Sequence, residues 1–274
     1  MDSEKIKNFP KAYCASLIES EERRENIKKQ FQEKGIDSIE FLISKKFEDS
    51  EDVVEGNRIF FLDDGTKGAI VSHLKMIKKW YDETLDEYGF FCEDDLSLDT
   101  IQYWNFTWEN FIQELPKGWD CVQLLSCGSH IKEIKLRKRY WDDWSVGAYI
   151  ITRKYAKVLI DSYIREDKFV LEVEDWAPLA EHLIYLTPKT NIQNIDTSHN
   201  VYTFPLFLEE IKFETTFLNR GTKDYGIDSG LMLQSHKEHH IESYNLILDW
   251  WKDIGKDLTL KEILQLENGD GNEF

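Results

Sequence analysis

Residues 11–44 read KAYCASLIESEERRENIKKQFQEKGIDSIEFLIS, and the order of patterns within them decides the fold class. KAYCASLI is a short apolar run between charged residues, which predicts a buried strand. ESEERRENIKKQFQEKG then places Ile27 and Phe31 on one helical face, with Ser20 as N-cap, Glu21 and Glu22 in the first turn and Gly35 as the stop. SIEFLIS follows as a second strand. Strand, helix, strand makes a βαβ unit and argues for an α/β sheet.

The alternation continues outward from this unit. AIVSHLKMIKKWYDETLDEY, residues 69–88, keeps Ile70, Leu74, Ile77 and Tyr81 at helical spacing, after a charged and unpatterned stretch, 45–67, expected to be a loop. WDCVQLLS and SVGAYII read as further strands. A helix is expected from Thr152 through RKYAKVLIDSYI, and another over APLAEHLIY. Beyond about residue 190 the pattern fades, NVYTFPLFLEE included, and ENGDGNEF at the end is expected to fray. The expectation is a single domain over 1–274, with a core over about 12–210 and an extension over 211–274.

Charge narrows the choice of partner. Lys and Arg number 34 against 52 Asp and Glu, a formal charge of -18, which repels nucleic acid and anionic membrane surfaces. A small anion such as a nucleotide diphosphate stays open if a divalent cation bridges it to the acidic chain. The four cysteines form no CxxC pair, and Cys14, Cys92 and Cys121 sit in apolar runs as small buried hydrophobes, which suits a reducing compartment. MDSEKIKNFPKAY has neither an apolar core nor a cleavage site, and no run approaches the ~20 apolar residues of a membrane span. A cytoplasmic protein is expected.

GFFCEDDLSLD, residues 89–99, concentrates three carboxylates at the end of an apolar strand. Their mutual repulsion beside a core asks for a proton or a cation. In open α/β sheets ligands bind at the carboxyl ends of strands, which is where the triplet falls. Continued strand alternation sends Glu93 and Asp95 to one side and Asp94 to the other, a pairing suited to Mg²⁺ or Mn²⁺. A solvated acidic turn is the alternative reading.

The succession YCASLIESEERRENI, TKGAIVSHLKMIKKW, GFFCEDDLSLD, WDCVQLL and WDDWSVGAYIITRKYAKVLID resembles glycosyltransferase family 25 over residues 12–190. That family includes lipooligosaccharide galactosyltransferases and collagen hydroxylysine galactosyltransferases. EDD followed by Leu, and Gly68 to His73 with its Gly-x-x-x-Ser-His order, carry most of the likeness. The resemblance implies a GT-A-type, Rossmann-like mixed sheet flanked by helices and a UDP-sugar donor, usually UDP-galactose. It also implies a Mn²⁺-type ion (or Mg²⁺) and inversion at the sugar carbon. The acceptor would be a hydroxyl of a glycan, a lipid-linked glycan or a hydroxylysine-containing chain.

Carried onto this sequence, the resemblance makes Glu93 and Asp95 metal ligands, with Asp94 beside the nucleotide sugar. Ser16 and Leu17 stand where the family has Asn-Leu, and the lost Asn weakens a side-chain contact at Ser16. Arg23 matches the family's arginine, with Arg24 beside it; both are equally readable as partners of the neighbouring helix glutamates. Ser72 and His73 are expected to open a helix whose amino terminus favours an anion. In VEDW, residues 173–176, Asp175 is the favoured general base and Glu174 its competitor.

Two features lie outside these motifs. Trp141 and Trp144, with Asp142 and Asp143 between them, are an arrangement that stacks on and hydrogen-bonds a sugar. HKEHH sets His236 and His240 one helical turn apart, fit for a metal site or a third ligand to the catalytic ion. Two other functions compete with the transferase: a glycan-binding or assembly protein that keeps the fold without turnover, and a nucleotidyltransferase, which the missing glycine-rich phosphate loop disfavours.

Overall fold

Most of the apolar runs assemble into one seven-stranded mixed sheet with helices on both faces, beside a three-stranded and a two-stranded sheet. The computed structural model describes residues 2–36, 38–45, 53–55, 64–127, 134–140, 143–166, 168–170, 180–185, 199–212 and 229–265. In chain order the elements are α1 (Asp2–Lys5), β1 (Ala12–Leu17), α2 (Glu21–Lys34), β2 (Ile39–Ser44), β3 (Val53–Glu55), α3 (Asp64–Glu83) and β4 (Tyr88–Glu93). Then come β5 (Leu96–Ser97), α4 (Trp108–Glu114), β6 (Cys121–Gln123), β7 (Arg137–Lys138), β8 (Ala148–Thr152), α5 (Arg153–Tyr163), β9 (Ile164–Arg165) and β10 (Lys168–Val170). The last are α6 (Ala180–Tyr185), β11 (Val201–Thr203), β12 (Leu208–Glu209), α7 (Ser229–Asp253) and α8 (Leu260–Ile263).

The main sheet has seven strands in the order β2-β1-β4-β8-β6-β11-β7. β1 is parallel to both β2 and β4, β8 is antiparallel to β4 and β6, and β11 is parallel to β6 and antiparallel to β7. This is the Rossmann-like mixed α/β sheet flanked by helices that the sequence leads one to expect. The opening βαβ unit forms as read. Gly35 closes α2 at φ 81°, a left-handed conformation that costs glycine little, and its N–H bonds Gln32. Ser20 sits at the N-cap position but makes no side-chain cap bond.

Alternation along the strands divides the core. Ala12, Cys14, Phe90 and Cys92 point to one face, against Ile27 and Phe31 of α2 and Trp108 and Phe111 of α4. Tyr13 and Phe91 point to the other, against Ile70, Leu74, Ile77 and Trp80 of α3 and Leu159 of α5. Burying each large side chain contributes about 1.5–3 kcal/mol. All four cysteines are buried and free, as expected of Cys14, Cys92 and Cys121; Cys127 joins them.

Several boundaries differ from the sequence reading. α3 starts at Asp64 and stops at Glu83, because Tyr88 is already committed to β4 opposite Thr152. The stretch read as a loop over 45–67 therefore holds β3 and the first turn of α3. The segment beyond 190 is not peripheral: Tyr202 and Phe204, Trp251 of α7 and Ile263 of α8 belong to the same cluster as Phe90. Their spacing escapes notice because β11 and β12 are only three and two residues long, too short to show a period. No helix among the described residues is long and apolar enough to cross a membrane.

Candidate functional site at the carboxyl ends of β1 and β4

Because α2 and α3 cover opposite faces, the chain leaves β1 on one side of the sheet and reaches β4 from the other. The carboxyl ends of β1 and β4 thus form a topological switch point, the crevice where open α/β sheets bind ligands. Ser16 and Leu17 end β1, Arg23 and Arg24 lie in the first turns of α2, and Glu93 ends β4.

Strand geometry stops at Glu93, and the next two residues turn. The expected alternation therefore fails. Asp94 and Asp95 do not diverge but converge on one guanidinium, with Arg23 Nη1 3.2 Å from Asp94 Oδ1 and 3.1 Å from Asp95 Oδ2. Arg23 is not a helix-surface residue as one alternative had it; it reaches across to the turn. Ser16 Oγ donates to Asp94 Oδ2 at 2.5 Å and accepts from Arg24 Nη1 at 3.0 Å. Arg24, itself buried, also donates to the carbonyls of Leu17 and Ile18 and so clasps the end of β1.

Ser72 and His73 fall in the third turn of α3 rather than at its amino terminus, so the helix-end argument for anion binding does not hold for them. The apolar stripe of the helix begins near residue 70, but its backbone begins at Asp64, where sequence shows charge. His73 is fully buried, with Nδ1 2.9 Å from the Tyr149 hydroxyl and Nε2 3.4 Å from Glu93 Oε1. It orients Glu93 from behind.

The electrostatics are unbalanced. Burial holds the Asp94 carboxyl above its ordinary range against the bonds from Ser16 and the charge of Arg23. Asp95 is pushed up well above its ordinary value by burial first, then by the carboxylates of Glu209 and Glu93, with Arg23 opposing. Burial also works against the Arg23 charge, but Asp95 and Asp94 outweigh it and raise its pKa. Glu209 arrives from β12, paired antiparallel with β5, and Glu210 N bonds the Asp95 carbonyl at 2.6 Å. Asp94 and Asp95 share one guanidinium, and Glu93 and Glu209 nearby repel Asp95, but among the described residues Glu93, Asp94 and Asp95 do not gather their oxygens into a three-ligand cluster. Arg23 is the competitor that a divalent ion would meet there.

A stability test follows from this imbalance. Asp95→Asn should raise the melting temperature of the metal-free protein by about 2–4 °C, on the order of 1 kcal/mol. With the folded-state pKa above the unfolded one, the folded state binds the proton more tightly, and stability is lost as pH rises through the folded value. The gain from Asn should therefore be present at pH 8 and vanish near pH 3, as melting curves at the two extremes will show.

Other expected residues fare variously. Glu174, Asp175, Trp141 and Asp142 lie outside the described residues, as does the side chain of His236. Asp143 is buried and committed: it accepts from Arg137 Nη1 at 2.6 Å, Tyr140 N at 2.8 Å and Thr203 Oγ1 at 2.9 Å, which removes it as a sugar contact. His240 does meet an acidic partner, its Nδ1 lying 2.6 Å from Glu209 Oε2. Burial opposes its charge, but hydrogen bonds to Cys127 and Glu209 prevail and its pKa is pushed up to about 11. Glu209 and Tyr149 were missed by sequence reasoning. Neither has a local signature, since each reaches the site only through strand pairing with residues far along the chain.

No family model matches the chain, and no curated protein matches it. Among solved structures, the crystal structure of A197 from STIV is similar over 72% of this chain and 83% of that one, at 10% identity and a TM-score of 0.38. A likeness this shallow fixes neither ligand nor activity.

Proposed function

We propose that the protein is a metal-dependent, inverting glycosyltransferase of GT-A type. It moves a hexose, galactose by preference, from a UDP-sugar to a hydroxyl of a glycan, lipooligosaccharide or hydroxylysine-type acceptor. The supporting observation is the convergence of Ser16, Arg23, Arg24, Asp94 and Asp95 at the switch point between β1 and β4, with Glu93 adjoining them at the end of β4. The motif resemblance adds the donor class. Glu93 and Asp95 would hold the ion, which would neutralise the diphosphate and charge developing on the leaving UDP. Arg23 is placed to pass from the carboxylates to phosphate oxygens as the ion takes its place, and His73 keeps Glu93 oriented. Four buried, unbridged cysteines are in keeping with a reducing, cytoplasmic setting.

Calorimetry of UDP with and without Mn²⁺, on the wild-type chain and on Asp95→Asn, tests the reading. UDP should bind only the wild-type chain and only with the ion, because without it a diphosphate meets Glu93, Asp94 and Asp95 against their combined charge. Equal affinity in all four titrations overturns it. One observation favours a second reading, a binding protein without turnover: Arg23 pairs with both Asp94 and Asp95 and so neutralises part of the acidic turn itself. Metal-dependent UDP binding with no UDP release from any UDP-hexose, across a panel of acceptors, would select that alternative.

A further inference from the structure

Cys127, Glu209 and His240 come from three distant parts of the chain. Cys127 follows β6 and bridges to Trp144, Glu209 ends β12, and His240 lies on α7. One ligand atom from each, a thiol sulfur, a carboxylate oxygen and a ring nitrogen, lies within 4.8 Å of the others. The three border a partly open cavity of about 10 Å³, room for at most one water or ion, lined also by Leu125, Phe207 and Ile247. Ser126 lines the same cavity. Its Oγ is buried, the residue being 2% exposed, and has no hydrogen-bond partner among the described residues. A buried hydroxyl left unsatisfied asks for an unseen ligand.

The geometry points to a second metal site, in which Cys127, Glu209 and His240 bind one thiophilic divalent ion of the Zn²⁺ type. Thiolate, imidazole and carboxylate together select a borderline-soft ion, in contrast to the all-oxygen donors of the acidic turn. With bonds of about 2.0–2.3 Å, tetrahedral ligand atoms stand about 3.3–3.8 Å apart. No pair in the trio is farther apart than 4.8 Å, and the 2.6 Å Glu209–His240 contact must open to admit an ion. Three protein ligands leave a fourth position for water, and Ser126 Oγ is at hand to bond it. The side chains of Glu209 and His240 keep 14% and 22% of their surface exposed, which gives the ion a way in. The site stands whether or not the chain transfers sugar.

The test uses the reduced, chelator-stripped full chain. Zinc competition with a chromophoric chelator should show one tight equivalent. Cobalt should give the near-ultraviolet band of thiolate-to-cobalt charge transfer. Cys127→Ser and His240→Gln should each weaken zinc by more than about 100-fold, exceeding the loss typical of an outer-shell partner. Cys127→Ser should also abolish the cobalt band. The wild-type chain alone supplies a readout immune to misfolded variants. Cys127 is 8% exposed while Cys14, Cys92 and Cys121 are fully buried, so it should be the thiol alkylated first by iodoacetamide, and one equivalent of zinc should block it. Absence of stoichiometric zinc, a cobalt band that survives Cys127→Ser, protection at another cysteine, or alkylation of Cys127 that zinc leaves unchanged would each overturn the site. The last outcome would point instead to a Cys-His-Glu nucleophile.

Discussion

Arg23→Ala should destabilise the metal-free protein by about 3–5 kcal/mol, the range for removing one partner from a buried ion pair. The side chains of Arg23, Asp94 and Asp95 are only 12%, 7% and 11% exposed, so solvent screens little of their attraction. Without the guanidinium, Asp94 keeps Ser16 as partner, while Asp95 faces Glu209 and Glu93 uncompensated. The cost should be greatest at neutral pH. It should shrink as pH falls and the two carboxyls, raised still further by the loss, take up protons. Urea unfolding at pH 8 and pH 4 measures this. If the acidic turn is a cation site, millimolar Mn²⁺ should restore part of the lost stability, about 2.7 kcal/mol at a hundredfold excess over its dissociation constant. An Arg23→Ala chain equally unstable with and without Mn²⁺ would leave the ion nowhere to bind at this turn. It would favour the reading in which Arg23 is the permanent counter-charge.

Asp175→Asn should lower transfer to an acceptor by about 10²–10⁴-fold, the usual contribution of a general base, while leaving Mn²⁺-dependent UDP binding nearly unchanged. An inverting transfer needs a carboxylate to take the acceptor hydroxyl's proton on the face opposite the departing UDP. Such a group acts on the acceptor alone, so its loss removes transition-state stabilisation without touching the donor's ground-state contacts. Asp95→Asn should lose both binding and turnover. That contrast separates a base from a metal ligand. If Glu174→Gln shows the selective defect and Asp175→Asn is mild, the base is Glu174. If neither lowers turnover at saturating donor, VEDW is only the approach to α6 and the base lies elsewhere.

By itself the sequence determined whatever depends on period and on local chemistry. The βαβ unit was legible because Ile27 and Phe31 repeat at helical spacing between two apolar runs, and Gly35 is the residue that accepts a left-handed stop. The burial of Cys14, Cys92 and Cys121 and a helix beginning about Thr152 were legible for the same reason, though Thr152 proves to be its N-cap. The acidic triplet was visible as an electrostatic problem, but its solution was not. Alternation holds only while a strand lasts, and β4 ends at Glu93, so Asp94 and Asp95 turn together onto Arg23. His73 changed meaning because α3 begins inside a charged segment with no apolar stripe to announce it. Glu209, Tyr149 and the meeting of Cys127 and Glu209 with His240, which the sequence marked only as a metal candidate alongside His236, belong to the tertiary level. Their neighbours are brought in by the β12–β5 ladder, by the antiparallel insertion of β8 between β4 and β6, and by the docking of α7. Contacts made across so many residues leave no spacing in the chain from which to read them.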